Sequence, residues 1–218
     1  MFVNPQNPGG TVYSKKEIKE LSKIVKEKKI TVFSDELHCD LILQKHLEHI
    51  PLGSMKAIER NVISFYSASK TFNVPGLNCA FAVIPCDDLR KAFKQNAEGI
   101  TDDANITGLI ALSAAFEKGW RWRDNLIRYL NKNLQTLLDG LENHKNATPI
   151  VPQATYLLWV NLKNPKHKNL QSHFEEYGIG INDGIEFGKK NSIRINFATT
   201  HQNIKKASKR IEEALINL

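Results

Sequence analysis

Three short apolar runs in the first third of the sequence each stop at a polar motif. Met1-Phe2-Val3 gives way to Asn4-Pro5-Gln6-Asn7-Pro8-Gly9-Gly10. Ile30-Thr31-Val32-Phe33 ends at Ser34-Asp35-Glu36-Leu37-His38, and Asn61-Val62-Ile63-Ser64-Phe65-Tyr66 ends at Ser67-Ala68-Ser69-Lys70-Thr71-Phe72. A fourth run, Ala80-Phe81-Ala82-Val83-Ile84, follows. Between the first two, Ser14-Lys15-Lys16-Glu17 fits a capping box, and Ile18, Leu21, Ile24 and Val25 recur at helical spacing. Strands separated by a helix imply an α/β fold with a largely parallel sheet. Such sheets bind ligands at their strand ends, where these motifs fall.

The rest of the chain is patterned differently. Ile106 to Phe116 reads as a helix rich in Ala, Leu and Ile. From Trp122, the positions Leu126, Ile127, Leu130, Leu134, Leu137, Leu138 and Leu141 form one face of a long helix, closed by Gly140 and the run Asn143 to Pro149. Trp120 and Trp122 are expected in the core with that stripe. Tyr156 to Val160 and Ser192 to Phe197 read as strands, and Leu170 to Tyr177 and Asn203 to Leu218 as helices. A second, smaller α+β domain is therefore expected from about residue 143.

Composition narrows the partners. Hydrophobic residues make up 41% and charged residues 24%, ordinary globular values. No apolar run is long enough to cross a bilayer, and the N-terminus lacks the features of a signal peptide. Cys39, Cys79 and Cys86 form no CxxC pair and are odd in number, which argues for buried, reduced thiols in a cytoplasmic protein and against a disulfide framework or a metal site. The net charge is +7. Its lysines are scattered on helices such as Lys15 to Lys29, without interleaved aromatics, so neither a nucleic-acid nor a membrane partner is expected. An anionic cofactor or substrate suits that surface.

Taken singly, each motif is bland: a turn, a helix cap, a surface lysine. Glu36 reads as a helix cap. Together they meet the demands of pyridoxal 5'-phosphate (PLP). That cofactor needs a lysine amine for its aldehyde, a carboxylate at its pyridine nitrogen, hydrogen bonds at its phenolic oxygen and donors for its phosphate.

The motifs NPxNPGG, SDExH and SxSKTFNxxGL, in this order, resemble the fold-type I PLP enzymes of the class I/II aminotransferase superfamily. Within it they resemble the C–S lyases of the cystathionine β-lyase and maltose-regulon-modulator group. Gly119 to Asn133 is similar to that group's long interdomain helix. Thr155 to Trp159 and Ser192 to Phe197 are similar to its small domain. The resemblance implies a partial large PLP-binding domain over 1–118, a connecting helix over 119–142 and a small C-terminal domain over 143–218. It makes Lys70 the lysine that holds PLP and moves the substrate proton. Asp35 pairs with the pyridinium nitrogen, and Asn7 and His38 lie beside the phenolic oxygen. Ser67 and Ser69 contact the phosphate, and Arg194 clamps the substrate carboxylate.

The implied activity is β-elimination of a cystathionine- or cysteine-like amino acid to thiol, pyruvate and ammonia. The alternatives are an aminotransferase using the same residues, or an inactive remnant that acts as a binding module. Asn78 stands where many aminotransferases carry a phosphate-binding Arg. Relatives also carry a long N-terminal half before the first motif. The chain is thus expected to be weakly active or inactive alone, and a homodimer is a possible state by the same resemblance.

Overall fold

A computed structural model describes residues 1–101 and 103–218. The chain divides into two compact units, Met1–Pro5 with Val12–Asp124, and Gln6–Thr11 with Asn125–Leu218.

The first unit is built on a four-stranded sheet of β1 (Phe2–Val3), β2 (Val32–Asp35), β3 (Val62–Tyr66) and β4 (Phe81–Val83), in that order. Strands β1, β2 and β3 are parallel and β4 is antiparallel, so the sheet is mixed but mostly parallel, as expected. Helix α1 (Lys15–Lys28) starts at the Ser14–Glu17 capping box and packs Ile18 and Val25 against Val32, Leu52, Ile58 and Val62. β2 alternates rather than being buried throughout. Val32 and Ser34 are buried, while Phe33 is 45% exposed and packs beside Phe65, ring centroids 5.9 Å apart. The short helix α2 (Ala68–Thr71) follows β3, then α3 (Asp87–Ala97) and α4 (Ile106–Lys118). The unit also holds the start of α5 (Trp120–Leu141).

Trp120 and Trp122 are not core residues. They are 37% and 46% exposed and rest on the Phe72 ring at centroid distances of 5.9 and 6.0 Å. They precede the buried stripe of α5, which begins lower on the helix at Leu130. Of the cysteines, which are all free, Cys79 alone is fully buried; Cys39 and Cys86 are partly exposed.

The second unit carries an antiparallel sheet in the order β5 (Ala147–Ile150), β6 (Leu157–Leu162), β8 (Ser192–Asn196), β7 (Asn182–Asp183). Leu130, Leu134, Leu137 and Leu141 of α5 are buried, as are Phe174 of α6 (Leu170–Glu176) and Ile204 and Ile211 of α7 (His201–Ile216). Two expectations change here. The run to Pro149 contains the edge strand β5 and is not only a helix-closing loop. Gly140 lies inside α5, not past its end. A Cβ there would sit 2.2 Å from Ser208 Oγ, so glycine permits the close approach of α7.

Candidate active site

Parallel pairing places the ends of β1, β2 and β3 at one edge of the first sheet. Val3 is in register with Asp35, and Asp35 with Phe65. The chain leaves each strand into a candidate motif. Asn4 N–H donates to the Asp35 carbonyl at 3.0 Å, and Glu36 N–H to the Phe65 carbonyl at 3.1 Å. Asp35 is partly buried. One of its oxygens, Oδ1, accepts the Leu37 N–H at 3.1 Å, which fixes the carboxylate and leaves Oδ2 as the second acceptor. His38 is buried in the turn that follows β2. Lys70 sits on α2, one short segment beyond β3, and is partly exposed.

Ser67 caps α2, where its Oγ accepts the Ser69 N–H at 3.0 Å. The same oxygen lies 2.7 Å from the Cys79 carbonyl and 2.9 Å from Ser69 Oγ. One hydroxyl proton cannot serve both neighbours, and the carbonyl can only accept. Ser67 therefore donates to Cys79 and holds the turn, and Ser69 is the donor in the contact between the two hydroxyls. Asn78 ends the turn after Pro75–Leu77 with φ 44°, a left-handed conformation that asparagine tolerates better than most residues.

Sequence reasoning missed a buried polar cluster in this unit. Glu36 is completely buried. Its Oε1 accepts from Ser34 Oγ and Ser64 Oγ, each at 2.9 Å, and from Leu52 N–H at 3.3 Å. Its Oε2 accepts from Tyr66 at 2.8 Å and from His49 Nε2 at 2.7 Å. Burial pushes its pKa up, but the bond to and charge of His49, and the bonds from Tyr66 and Ser34, outweigh that and leave it below 4.5. Glu36 is no helix cap. The signal was present: adjacent strand residues face opposite ways, so Asp35 and Glu36 cannot serve one site.

Asn7 and Arg194 belong to the second unit, where the structure pairs them. Arg194 Nη1 donates to Asn7 Oδ1 at 3.1 Å, and Nη2 and Nε donate to Asn182 Oδ1 at 2.8 and 3.3 Å. The guanidinium lies 4.4 Å from the Phe187 ring centroid. Burial lowers the Arg194 pKa, with Glu186 and Tyr156 opposing, and an arginine stays charged under such a shift. Its bonded partners are neutral amides, so the cation is oriented without being neutralised by them. Asn7 uses its oxygen on Arg194, so the amide offers its N–H groups elsewhere. Asn182 and Phe187 lie in irregular sequence that gave no signal of this role. Gly10 explains the end of the first motif. Its φ is 74°, its carbonyl accepts from Gln153 and Ala154 N–H at 3.0 Å, and an added Cβ would lie 2.5 Å from Pro152 Cβ.

Within the first unit, then, a carboxylate ends β2 and an amine follows β3; within the second, Asn7 and Asn182 orient an arginine. The chain belongs to the aminotransferase class I and II family, whose model matches residues 1–211. It is 29% identical to a cystathionine beta-lyase of Corynebacterium glutamicum, covering 99% of this chain and 59% of that protein. Among solved structures, that of OvoB matches with a TM-score of 0.94 and 33% identity, covering 98% of this chain and 57% of the other. A PLP-bound C-S lyase from Staphylococcus hominis matches with a TM-score of 0.89 and 33% identity, covering 99% and 56%. The chain thus spans under three-fifths of the length of these relatives.

Proposed function

We propose that this chain carries the lysine-bearing portion of a PLP-dependent C–S β-lyase. The observation that carries the reading is the complementary donor set. In the first unit, Asp35 is fixed at a strand end by Leu37 and Lys70 follows the adjacent strand; in the second, taken by itself, Arg194 is oriented by Asn7 and Asn182. These groups fit the cofactor. PLP, when bound, supplies an aldehyde that captures an amine and a protonated ring that accepts electrons from the substrate Cα.

The chain's own groups then have separate tasks. Lys70 Nζ would hold the aldehyde and would serve as the base for the substrate Cα proton. The Asp35 carboxylate keeps the proton on the ring nitrogen. Asn7 would offer the phenolic oxygen the N–H groups that Arg194 leaves to it, and His38 is assigned to the same oxygen by the family resemblance. Ser69 would turn its hydroxyl from Ser67 to the phosphate, while Ser67 holds the turn through Cys79. Arg194 receives the substrate carboxylate in a two-pronged pair. With water, a cysteine-like amino acid then gives thiol, pyruvate and ammonia.

The names of the relatives favour elimination. A putative aminotransferase of Clostridium difficile, 32% identical over 98% of this chain, favours transamination by the same groups. Product analysis separates the two, because only elimination releases thiol and pyruvate. For the 218-residue chain by itself we expect turnover far below about 1 per second, a rate typical of enzymes, because Asn78 brings no charge to the phosphate. Thiol release at that rate or faster would contradict the expectation. A longer protein containing this chain is expected to release thiol and pyruvate together, and to lose both when Lys70 becomes Ala.

A further inference from the structure

We propose that Glu36 is a positioning residue that sets the direction of Asp35 and the start of the Lys70 helix from the opposite face of the sheet; this rests on the PLP reading above. Ser34 in β2 and Glu36 just past its end are buried, while Asp35 between them is only partly buried, so the alternation of the strand carries one residue beyond it. The Glu36 carboxylate then draws in three separate pieces of chain. Ser64 and Tyr66 come from β3, His49 from the loop after β2, and the Leu52 N–H from the turn over Leu52–Ser54. Because β3 runs on through Ser67 into α2, a carboxylate that ties the ends of β2 and β3 together fixes both motifs at once.

The donor set is specific to a carboxylate. All five groups around it donate, and a carboxylate only accepts. A glutamine would turn one end into a donor facing donors. An ion buried this deeply contributes little stability that an apolar residue could not match, so what it adds is a single fixed geometry. Tyr66 shows the field from the other side: burial and the adjacent Glu36 carboxylate push its phenol well above the usual range.

Hydrogen exchange of the 218-residue chain tests this without any cofactor. The Leu37 N–H reports the Asp35 carboxylate, and the Ser69 N–H reports the α2 cap. In Glu36→Gln and Glu36→Leu, both amides should lose at least about tenfold protection relative to Val160 in the second sheet, and Glu36→Asp should recover part of it. A merely structural role would shift unit-wide amides such as Ile63 by the same factor as Leu37. Equal losses at Ile63, Leu37 and Ser69, or no loss, would overturn the proposal. Should both Gln and Leu variants fail to fold, the same comparison in Tyr66→Phe and His49→Gln, which each remove one donor, decides it by the same criterion. PLP capture at Lys70, measured alongside, separates the two readings. Capture that persists with unchanged Leu37 and Ser69 exchange sinks the Glu36 proposal alone. Absent capture by the unsubstituted chain, with selective loss of protection in the variants, sinks the PLP reading and leaves Glu36 as the clamp of the two strand ends.

Discussion

At the scale of single residues, one buried carboxylate should dominate the acid response of the first unit. Glu36 has a pKa below 4.5 in the folded chain. The folded state therefore binds fewer protons than the unfolded state in that range. Its stabilisation is complete above about pH 4.5 and is lost as pH falls through the lower folded value. Acid titration followed by circular dichroism should show a steep loss of structure there, and Glu36→Gln should flatten that limb while lowering stability at neutral pH. His49→Ala removes one donor from the buried carboxylate and should cost about 1–3 kcal/mol of stability. An unchanged acid limb in Glu36→Gln would contradict this account. The first motif makes a second prediction at this scale. Gly10→Ala forces a Cβ to within 2.9 Å of the Pro152 backbone at a positive φ, so it should cost about 1–3 kcal/mol. An unchanged or raised melting temperature would count against the described turn.

At the scale of elements, legibility followed burial. Helices α1, α5 and α7 and strands β2, β3, β6 and β8 announced themselves because each buries a periodic apolar face. Helix α3 has no buried residue and therefore no stripe to read. Strand β5 contains Pro149, which suggests a turn; the strand lies at the edge of its sheet, where a missing N–H is tolerated. Helix α4 is the opposite case. It is apolar over Ile106–Lys118, yet only Gly108 is buried, and Ile106 and Ile110 are 71% and 63% exposed. The candidate site divides along the same line. The positions of Lys70, Asp35 and Asn7 at strand ends or in a tight turn were readable because their motifs follow local sequence rules. Glu36's donors and Arg194's supports were not, because Ser64, His49, Asn182 and Phe187 converge only through sheet register and loop path.

At the scale of the whole molecule, family membership and fold agree, and the chemistry assigned to the chain rests on Lys70. The most direct measurement is to incubate the 218-residue chain with PLP, reduce with borohydride and map the modified peptide. The account predicts one dominant adduct, on Lys70, with loss of selectivity when Asp35 becomes Ala. Labelling spread evenly over the many surface lysines, with Lys70 no more reactive than Lys15 or Lys209, would contradict it.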